Sequence, residues 1–266
     1  MRKRAAVLGS PINHSLSPAI HNAAYLALGI EGKYDAVEVA SGQLPTFMNQ
    51  VQETPAEWIG FSLTMPLKEE IFGVADISDP LALQIKSGNT LLPTAHGWFA
   101  TTTDVSGFIW ALTFTHVSDF ESIQIIGAGA TARAAAAAVD APGRKIEVML
   151  RDPQRIDSMK GAVTQGDLTF VEWGSSNREF DLVINTTPAG AADQLELSGS
   201  VLFEALYNPW PTPLVKRWQG KVIGGLDLLI HQAIDQIHLM TNFVIDRKMM
   251  VPLLRAAAQA ELADRN

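Results

Sequence analysis

Short apolar runs alternate with segments of helical or turn composition throughout the second half of the chain. Each run is rich in Ile, Val and Leu and is short enough to form a single buried strand. The predicted strands are Ile123–Ile126, Ile146–Leu150, Leu168–Val171, Leu182–Asn185, Val201–Leu206 and Val222–Ile223. Strands that alternate with helices in this way indicate a parallel, doubly wound sheet.

The first half of the chain shows the same mixture of strands and helices. The strands predicted there are Ala5–Leu8, Tyr34–Val39, Trp58–Leu63, Ser87–Leu92 and Trp98–Asp104, the last two flanking a turn at His96-Gly97. Leu44–Val51 is predicted to be a helix. Two segments near the C-terminus, Leu228–Leu239 and Lys248–Leu262, have the helical period and are expected to pack against this half. The whole chain is therefore predicted to have an α/β fold.

Two predicted helix starts lie beside polar residues. Ser17 is placed as an N-cap, with Pro18 at the first helical position and Gly29 closing the helix. Pro66 is predicted to begin another helix, with Lys68 in its first turn. The helix dipole opposes a cation at that position. A lysine there is usually only solvated, but this one follows a buried strand and is placed to point into a cleft.

The serines near the first strand have two interpretations. Ser17 is explained by helix capping alone, whereas Ser15 has no capping role in this prediction. Two hydroxyl groups so close to a strand end also suit a carboxylate or polyhydroxylated ligand, and the spacing favours neither interpretation. Asp104 ends a predicted strand and, as a structural residue, would cap the helix that follows it.

A glycine-rich turn joins a predicted strand to an alanine-rich helix in the middle of the chain. Gly127, Gly129 and Ala132 give the pattern G-x-G-x-x-A, in which the glycines let a pyrophosphate approach backbone N–H groups at a helix N-terminus. Glycines at this spacing also occur in ordinary turns. Arg151 and Asp152 follow the next strand, where dinucleotide-binding folds contact the adenosine ribose. The context therefore favours a dinucleotide site.

Length and composition limit the other functions. A chain of 266 residues is expected to form two domains, here residues 1–104 plus 229–266 and residues 105–228. The net charge of −8 argues against nucleic acid and anionic membranes as partners. The chain has no cysteine and its six histidines lack metal-ligand spacing, so no metal site is expected. No stretch is long and apolar enough to predict a membrane span, and we expect a cytoplasmic protein.

Eight segments, in order along nearly the whole chain, resemble motifs of the shikimate dehydrogenase family, which includes the quinate/shikimate dehydrogenases. They are Pro11–Pro18, Thr64–Lys68, Gly88–Leu91, Thr103-Asp104, Gly127–Ala130, Asn185–Gly190, Tyr207–Pro209 with Thr212–Leu214, and Gly225–Ala233. Each motif is modest alone, but eight in register are specific. The resemblance implies a substrate-binding α/β domain and a Rossmann-like nucleotide-binding domain.

The resemblance also implies an activity and a set of site residues. The expected reaction is the reversible, NADPH-dependent reduction of 3-dehydroshikimate to shikimate, with Lys68 as acid and base and Asp104 orienting it. The residues expected to bind the substrate are Ser15, Ser17, Thr64, Asn89, Asp104, Tyr207 and Gln232. Those expected to bind the cofactor are Gly127, Ala128, Gly129, Ala130, Arg151, Asp152, Arg155, Thr186, Thr187, Gly225 and Leu228.

The chain departs from the family pattern at several positions. Ser62 and Thr102 stand where many members carry asparagine, and Leu228 replaces a frequent methionine. Because Ser62 is expected to face a hydroxyl group, quinate or another hydroxylated cyclohexane carboxylate is an alternative substrate. A non-catalytic sensor of a dinucleotide or cyclitol is a further alternative, although retention of Lys68 and Asp104 argues against it. A monomer or a homodimer is expected.

The choice of cofactor depends on three charged residues after the second strand of the nucleotide-binding domain. Arg151 and Arg155 can bind a 2′-phosphate through planar, charge-assisted donors. Asp152 opposes them, because a carboxylate accepts from a free 2′-hydroxyl and repels a phosphate. Two cations against one anion favour NADP, and Asp152 keeps NAD as the alternative.

Overall fold

The chain forms two compact units in the computed structural model, which describes residues 3–53, 57–175 and 178–265. Unit 1 comprises the described residues up to Leu83, Ser87–Thr103, and those from Ile230 onward. Unit 2 comprises Gln84–Lys86 and Asp104–Leu229. The chain thus enters unit 2 briefly at Gln84–Lys86 before the main crossing at Asp104. The roles assigned to the two predicted domains stay a prediction.

Unit 1 is built on a mixed six-stranded sheet. Its strands are β1 (Lys3–Gly9), β2 (Gly32–Glu38), β3 (Glu57–Leu63), β4 (Ile77–Ser78), β5 (Thr90–Thr94) and β6 (Gly97–Thr101), in the order β2-β1-β3-β5-β6-β4. β1 is parallel to β2 and β3, whereas β5 is antiparallel to β3 and β6. Its helices are α1 (Ser17–Leu28), α2 (Leu44–Glu53), most of α3 (Pro80–Gln84), most of α8 (Gly225–Thr241), and α9 (Arg247–Asp264), which packs against α1.

Unit 2 contains a six-stranded sheet that is parallel throughout. Its strands are β7 (Ser122–Ile126), β8 (Lys145–Leu150), β9 (Asp167–Glu172), β10 (Glu179–Asn185), β11 (Ser198–Glu204) and β12 (Lys221–Gly224), in the order β12-β11-β10-β7-β8-β9. Its helices include α4 (Asp104–Phe114), α5 (Ala130–Val139), α6 (Ile156–Lys160) and α7 (Pro213–Arg217). The strand order runs outward in both directions from β7 and β10. The predicted doubly wound sheet is confirmed, and such sheets bind ligands where this order reverses.

The start of α1 differs from the prediction. Leu16, not Ser17, occupies the N-cap position and makes no side-chain capping bond. Ser17 is the first helical residue, and its N–H donates to the Oγ of Ser15 at 3.3 Å. Because the backbone of Leu16 is already helical, with φ −89° and ψ −6°, the helix begins one residue early. The prediction that Ser17 is the N-cap was therefore wrong, and Ser15 serves the helix end instead.

Lys68 lies in a turn rather than in the predicted helix. The N–H of Leu67 donates to the carbonyl of Thr64 at 2.8 Å, and a short 3-10 helix follows at Glu70–Gly73. The carbonyl of Lys68 accepts from the N–H of Gly88 at 2.9 Å. Lys68 is therefore in a turn whose carbonyl bonds to Gly88 outside the segment, and the predicted helix is not found at this point.

The core of unit 1 holds a buried histidine. His21 on α1 is 0% exposed, and its ring is stacked on Tyr34 of β2 with centroids 3.8 Å apart. Burial lowers the pKa of His21 to about 3 from 6.5, because the charged imidazole loses its hydration. His231 on α8 is also buried, and its pKa is lowered to about 4 by burial and by the charges of Arg247 and Arg255. Both imidazoles are therefore neutral in the folded protein near pH 7.

The neutral state of His21 makes stability depend on pH. Its depressed pKa contributes stability that is present above pH 6.5 and is lost as the pH falls from 6.5 toward 3. The expected loss is about 1.4 kcal/mol per pH unit in that window. His21→Phe keeps an aromatic ring against Tyr34 and should flatten the acid-side fall in the urea-unfolding free energy. His96→Phe, on the exposed β5–β6 turn, is the control. An unchanged slope in His21→Phe would contradict this interpretation.

Candidate active site

Several predicted motifs meet at one edge of the unit 1 sheet. β1 and β3 are parallel and end at this edge, while the antiparallel β5 begins there. The N–H of Ser10 donates to the carbonyl of Met65 at 3.0 Å, and the N–H of Gly88 donates to that of Lys68 at 2.9 Å. These bonds fix the Lys68 turn beside the segment that carries Asn89. The sheet topology therefore brings together motifs that are far apart in the sequence.

A buried polar cluster continues this edge. The amide of Asn89 donates to Oε1 of Gln232 at 3.2 Å and to the hydroxyl of Thr103 at 3.0 Å. The N–H of Thr103 donates back to Oδ1 of Asn89 at 2.8 Å. All three residues are at most 7% exposed. Asn89 and Gln232, predicted from motifs 143 residues apart in the sequence, are thus in direct contact. Thr103 was not among the predicted site residues, although it lies in the Thr103-Asp104 motif.

A second buried network supports Asn89. The hydroxyl of Tyr34 donates to Oγ of Ser62 at 2.6 Å, and Ser62 donates to Oε1 of Gln236 at 2.8 Å. The Gln236 amide donates to the carbonyl of Asn89 and to the hydroxyl of Thr90, both at 3.0 Å. Gln236 was not predicted, although it lies one turn after Gln232 on α8. The Ser62 hydroxyl is engaged inside the protein, so the reason for expecting it to face a different substrate is weakened.

Gln236→Leu tests this support. The leucine fills a similar volume but leaves the Ser62 hydroxyl, the Asn89 carbonyl and the Thr90 hydroxyl with a lost partner. We expect the free energy of unfolding to fall by about 1–3 kcal/mol, the usual cost of buried polar groups left unsatisfied. Urea unfolding measures this free energy. Gln236→Glu keeps the acceptor for the Ser62 hydroxyl but removes the donor to the Asn89 carbonyl. It therefore separates the contribution of the Ser62 bond from that of the Asn89 bond. Wild-type stability in both variants would contradict the assignment.

The remaining predicted substrate residues are divided between the units. Ser15, Ser17, Thr64 and Lys68 lie in unit 1, where Ser17 is buried and Lys68 is half-buried. Asp104 is 4% exposed and begins α4 in unit 2, directly after Thr103. Tyr207 lies in unit 2 after β11 and is half-buried. The pairing of Lys68 with Asp104 stays a prediction.

The glycine turn of unit 2 leaves space at its second glycine. Gly127 has φ +105°, and a Cβ there would meet Oγ1 of Thr186 at 2.8 Å, so both conformation and packing require glycine. Gly129 has φ −83° and ψ −172°, which any residue adopts, and a Cβ there would meet no atom of the described residues within 4 Å. The N-cap of α5, which begins at Ala130, is Gly129 itself, which has no side chain to cap the helix. Since the protein itself gives no reason for glycine at 129, the open space suits a ligand that contacts the backbone.

The neighbouring loop after β10 is held by a buried carboxylate. Thr186 donates through its hydroxyl to the carbonyl of Ile126 at 2.8 Å, which ties this loop to β7. Asn185 donates to both oxygens of Glu204 at 3.0 Å and accepts from the hydroxyl of Thr187 at 2.8 Å. Burial raises the pKa of Glu204 above its usual range, while the hydrogen bonds from Asn185 oppose the shift. The loop is therefore fixed at the point where the strand order reverses.

A cavity of about 250 Å³ lies beside the glycine turn. It is lined by Gly127, Ala128, Gly129, Leu150, Arg151, Asp152, Arg155, Trp173, Thr187, Pro188 and Ala191. Seven of the predicted cofactor residues are in this lining, whereas Ala130, Thr186, Gly225 and Leu228 are not. Gly225 begins α8 and donates from its N–H to the carbonyl of Leu206 at 3.3 Å, and Leu228 is 8% exposed on the same helix. Trp173 is a lining residue that the sequence pattern did not predict.

Other kinds of site are not found in the part of the chain that the structure describes. Within residues 3–53, 57–175 and 178–265, His, Asp and Glu side chains form no group of three or more that could bind a metal. No helix in these ranges combines the length and apolar character needed to cross a bilayer.

The chain is similar to characterised dehydrogenases over most of its length. Residues 7–91 match the family model described as the shikimate dehydrogenase substrate binding domain. A protein of Prochlorococcus marinus (strain MIT 9301) named shikimate dehydrogenase (NADP(+)) is 30% identical over 262 residues, covering 89% of this chain and 91% of that protein.

Solved structures give the same picture. The shikimate dehydrogenase of Mycobacterium tuberculosis superposes with a TM-score of 0.83 at 34% identity, covering 96% of this chain and 99% of that one. The shikimate 5-dehydrogenase of Thermus thermophilus, in complex with NADP(H) and shikimate, superposes with a TM-score of 0.82 at 30% identity, covering 97% of this chain and 100% of that one.

Proposed function

Because the chain belongs to the shikimate dehydrogenase family, we propose that it catalyses the reversible, NADPH-dependent reduction of 3-dehydroshikimate to shikimate, a step of aromatic amino acid biosynthesis. The observation that carries this proposal is the hydrogen bond between Asn89 and Gln232. The turn that contains Lys68 lies beside it, because the Lys68 carbonyl accepts from the N–H of Gly88. A polyhydroxylated ring needs several such fixed polar groups, since each unmatched hydroxyl strands a buried partner.

The substrate is assigned to polar residues that carry complementary groups. Ser15 and Ser17 bind the ring carboxylate, assisted by Tyr207. Thr64, Asn89 and Gln232 bind ring hydroxyls, and Asp104 accepts from one of them. The hydrogen bonds that Oδ1 of Asn89 accepts from the Thr103 N–H and the Thr90 hydroxyl support this assignment, because they limit the rotamers of Asn89 before the substrate arrives.

Lys68 is the proton donor in this proposal. In the reducing direction its ammonium polarises the ketone, and the N–H proton passes to the carbonyl oxygen as the C–O double bond becomes single. In the oxidising direction the neutral amine accepts the hydroxyl proton. Asp104 is a positioning residue for Lys68 as well as a hydroxyl acceptor. The half-buried position of Lys68 supports this role, because partial exclusion of water strengthens the electrostatic contribution.

The residues of unit 2 fit a dinucleotide. The open Gly129 position at the N-cap of α5 suits a pyrophosphate, while Arg151 and Arg155 line the adjoining cavity and suit a 2′-phosphate. NADPH, when bound, supplies the hydride to the ring carbon. Asp152 is the opposing group, but its Oδ1 accepts from the N–H of Gln154 at 3.0 Å and so serves the local turn.

The second candidate is oxidation of quinate or shikimate with NAD. The presence of the Asp152 carboxylate in the cavity lining favours it.

For the leading proposal we also infer a cytoplasmic location and a monomer or homodimer without a nucleic-acid partner. Cell fractionation tests the location, and light scattering measures the oligomeric state.

A turnover assay tests the proposed function against a sensor of the same fold. Enzyme, shikimate and NADP⁺ are mixed, and the absorbance band of the reduced nicotinamide is followed. The proposal expects a continuous rise that scales with enzyme concentration. Binding of shikimate and NADP⁺ by calorimetry with no absorbance change would instead support a non-catalytic sensor.

A further inference from the structure

Trp173 and Arg151 are neighbours because of the register between two strands of unit 2. Leu150, the last residue of β8, pairs with Glu172, the last residue of β9. Arg151 and Trp173 are therefore the next residues beyond the ends of two adjacent parallel strands. The guanidinium of Arg151 lies over the Trp173 ring, 4.1 Å from its centroid. Strand pairing thus produces a cation–π contact at the edge of the cavity beside the glycine turn.

Three further contacts hold this pair and its neighbour Gly174 in place. Nη2 of Arg151 donates to the carbonyl of Ala191 at 3.1 Å. Trp173 packs against the buried apolar cluster that includes Met149, and the N–H of Gly174 contacts Sδ of Met149 at 3.3 Å. The indole is therefore fixed to the core, although Arg151 itself is exposed. A long arginine side chain loses rotamer freedom when it is ordered, and these contacts order it before a ligand binds.

The remaining donors of Arg151 suit one kind of group. A guanidinium carries several N–H donors, and those that do not bond to Ala191 can match the oxygens of a phosphate. Arg155 adds a second cation to the cavity lining, and Asp152 uses Oδ1 on its own turn. The group that distinguishes NADP from NAD is a phosphate monoester on the adenosine ribose.

We propose that Trp173 is a positioning residue for cofactor choice: by stacking on Arg151 it holds the guanidinium where a 2′-phosphate binds, and so favours NADP over NAD. This inference rests on the cofactor assignment of the proposed function. It predicts that the loss of the indole weakens NADP⁺ selectively, because NAD⁺ has no phosphate at that position.

Binding measured without turnover tests the inference. Dissociation constants for NADP⁺ and NAD⁺ are obtained by isothermal titration calorimetry for wild type, Trp173→Leu and Trp173→Phe. Trp173→Leu should reduce the NADP⁺:NAD⁺ affinity ratio about two- to fivefold, the range of a cation–π contact at an exposed site. Trp173→Phe keeps an aromatic face and should retain most of the ratio. If Trp173→Leu does not fold, Trp173→Phe is used alone: a small decrease in the NADP⁺:NAD⁺ affinity ratio supports the inference, and an unchanged ratio overturns it.

Two controls separate selectivity from packing. Trp218 packs against the same apolar cluster but lines a different cavity, so Trp218→Leu should lower stability and leave the ratio unchanged. In an Arg151→Ala background, Trp173→Leu should have no further effect on the ratio. Equal weakening of both dinucleotides, or a persisting Trp173 effect without Arg151, would overturn the inference. Wild-type protein that binds neither dinucleotide would overturn it too, whereas failure to oxidise shikimate with binding intact would affect only the proposed function.

Discussion

Replacing Lys68 by alanine is expected to lower kcat for shikimate oxidation roughly a hundred- to ten-thousandfold, the range for loss of a general acid–base group. The KM for shikimate should change far less, because other polar residues are assigned to bind the ring. An interaction made only in the transition state lowers kcat and kcat/KM together. Steady-state kinetics with saturating NADP⁺ measure both constants, and small primary amines added to the alanine variant should restore part of the rate.

The control for Lys68 is a lysine in the same unit without a proposed role. Lys248 is exposed near the start of α9, and Lys248→Ala removes the same charge from the surface. Its kcat should remain close to that of wild type. A Lys68→Ala variant that is folded and retains near-normal turnover would remove Lys68 from the mechanism.

Gly129→Ala is expected to weaken NADP⁺ binding by at least about tenfold while leaving the apo protein folded and nearly as stable as wild type. Within the part of the chain that the structure describes, the added methyl group meets no atom closer than 4 Å, and it requires no unusual φ. Any loss of affinity must therefore come from the space that the ligand needs beside the backbone. Calorimetry gives the dissociation constant, and thermal unfolding without cofactor gives the stability.

Two other glycines calibrate that result. A methyl group added at Gly73 would also meet nothing within 4 Å, but this residue lies in unit 1, so Gly73→Ala should leave NADP⁺ binding unchanged. Gly127→Ala should lower stability as well as affinity, since φ is +105° and the methyl group would meet Thr186. If Gly129→Ala bound NADP⁺ as well as wild type does, the glycine turn would not be the pyrophosphate site.

The parallel sheet of unit 2 was predictable because its strands are short buried apolar runs. Ile123–Ile126 and Leu182–Asn185 both lie within observed strands, and the glycine turn follows directly after the first. Local sequence contains that information, since a strand covered on both faces needs apolar residues throughout. The Lys68 turn was not predictable in the same way. Its conformation depends on a hydrogen bond from Gly88, which a local pattern after Pro66 does not reveal.

The residues that support the candidate site could not be predicted from the sequence for a related reason. Gln236 contacts the Asn89 carbonyl across a sequence separation of 147 residues, and no periodicity along α8 distinguishes it from a surface glutamine. Trp173 and Arg151 are adjacent only because β8 and β9 pair in one register. Motifs therefore identified residues assigned to contact ligands, whereas the residues that hold them in place required the tertiary structure.

Specificity constants for four pairings, shikimate or quinate with NADP⁺ or NAD⁺, measured under one set of conditions, decide the substrate and the cofactor together. We expect shikimate with NADP⁺ to have the highest kcat/KM, by about tenfold or more over every other pairing. The highest value for quinate with NAD⁺ would contradict it and would show that Asp152 outweighs Arg151 and Arg155.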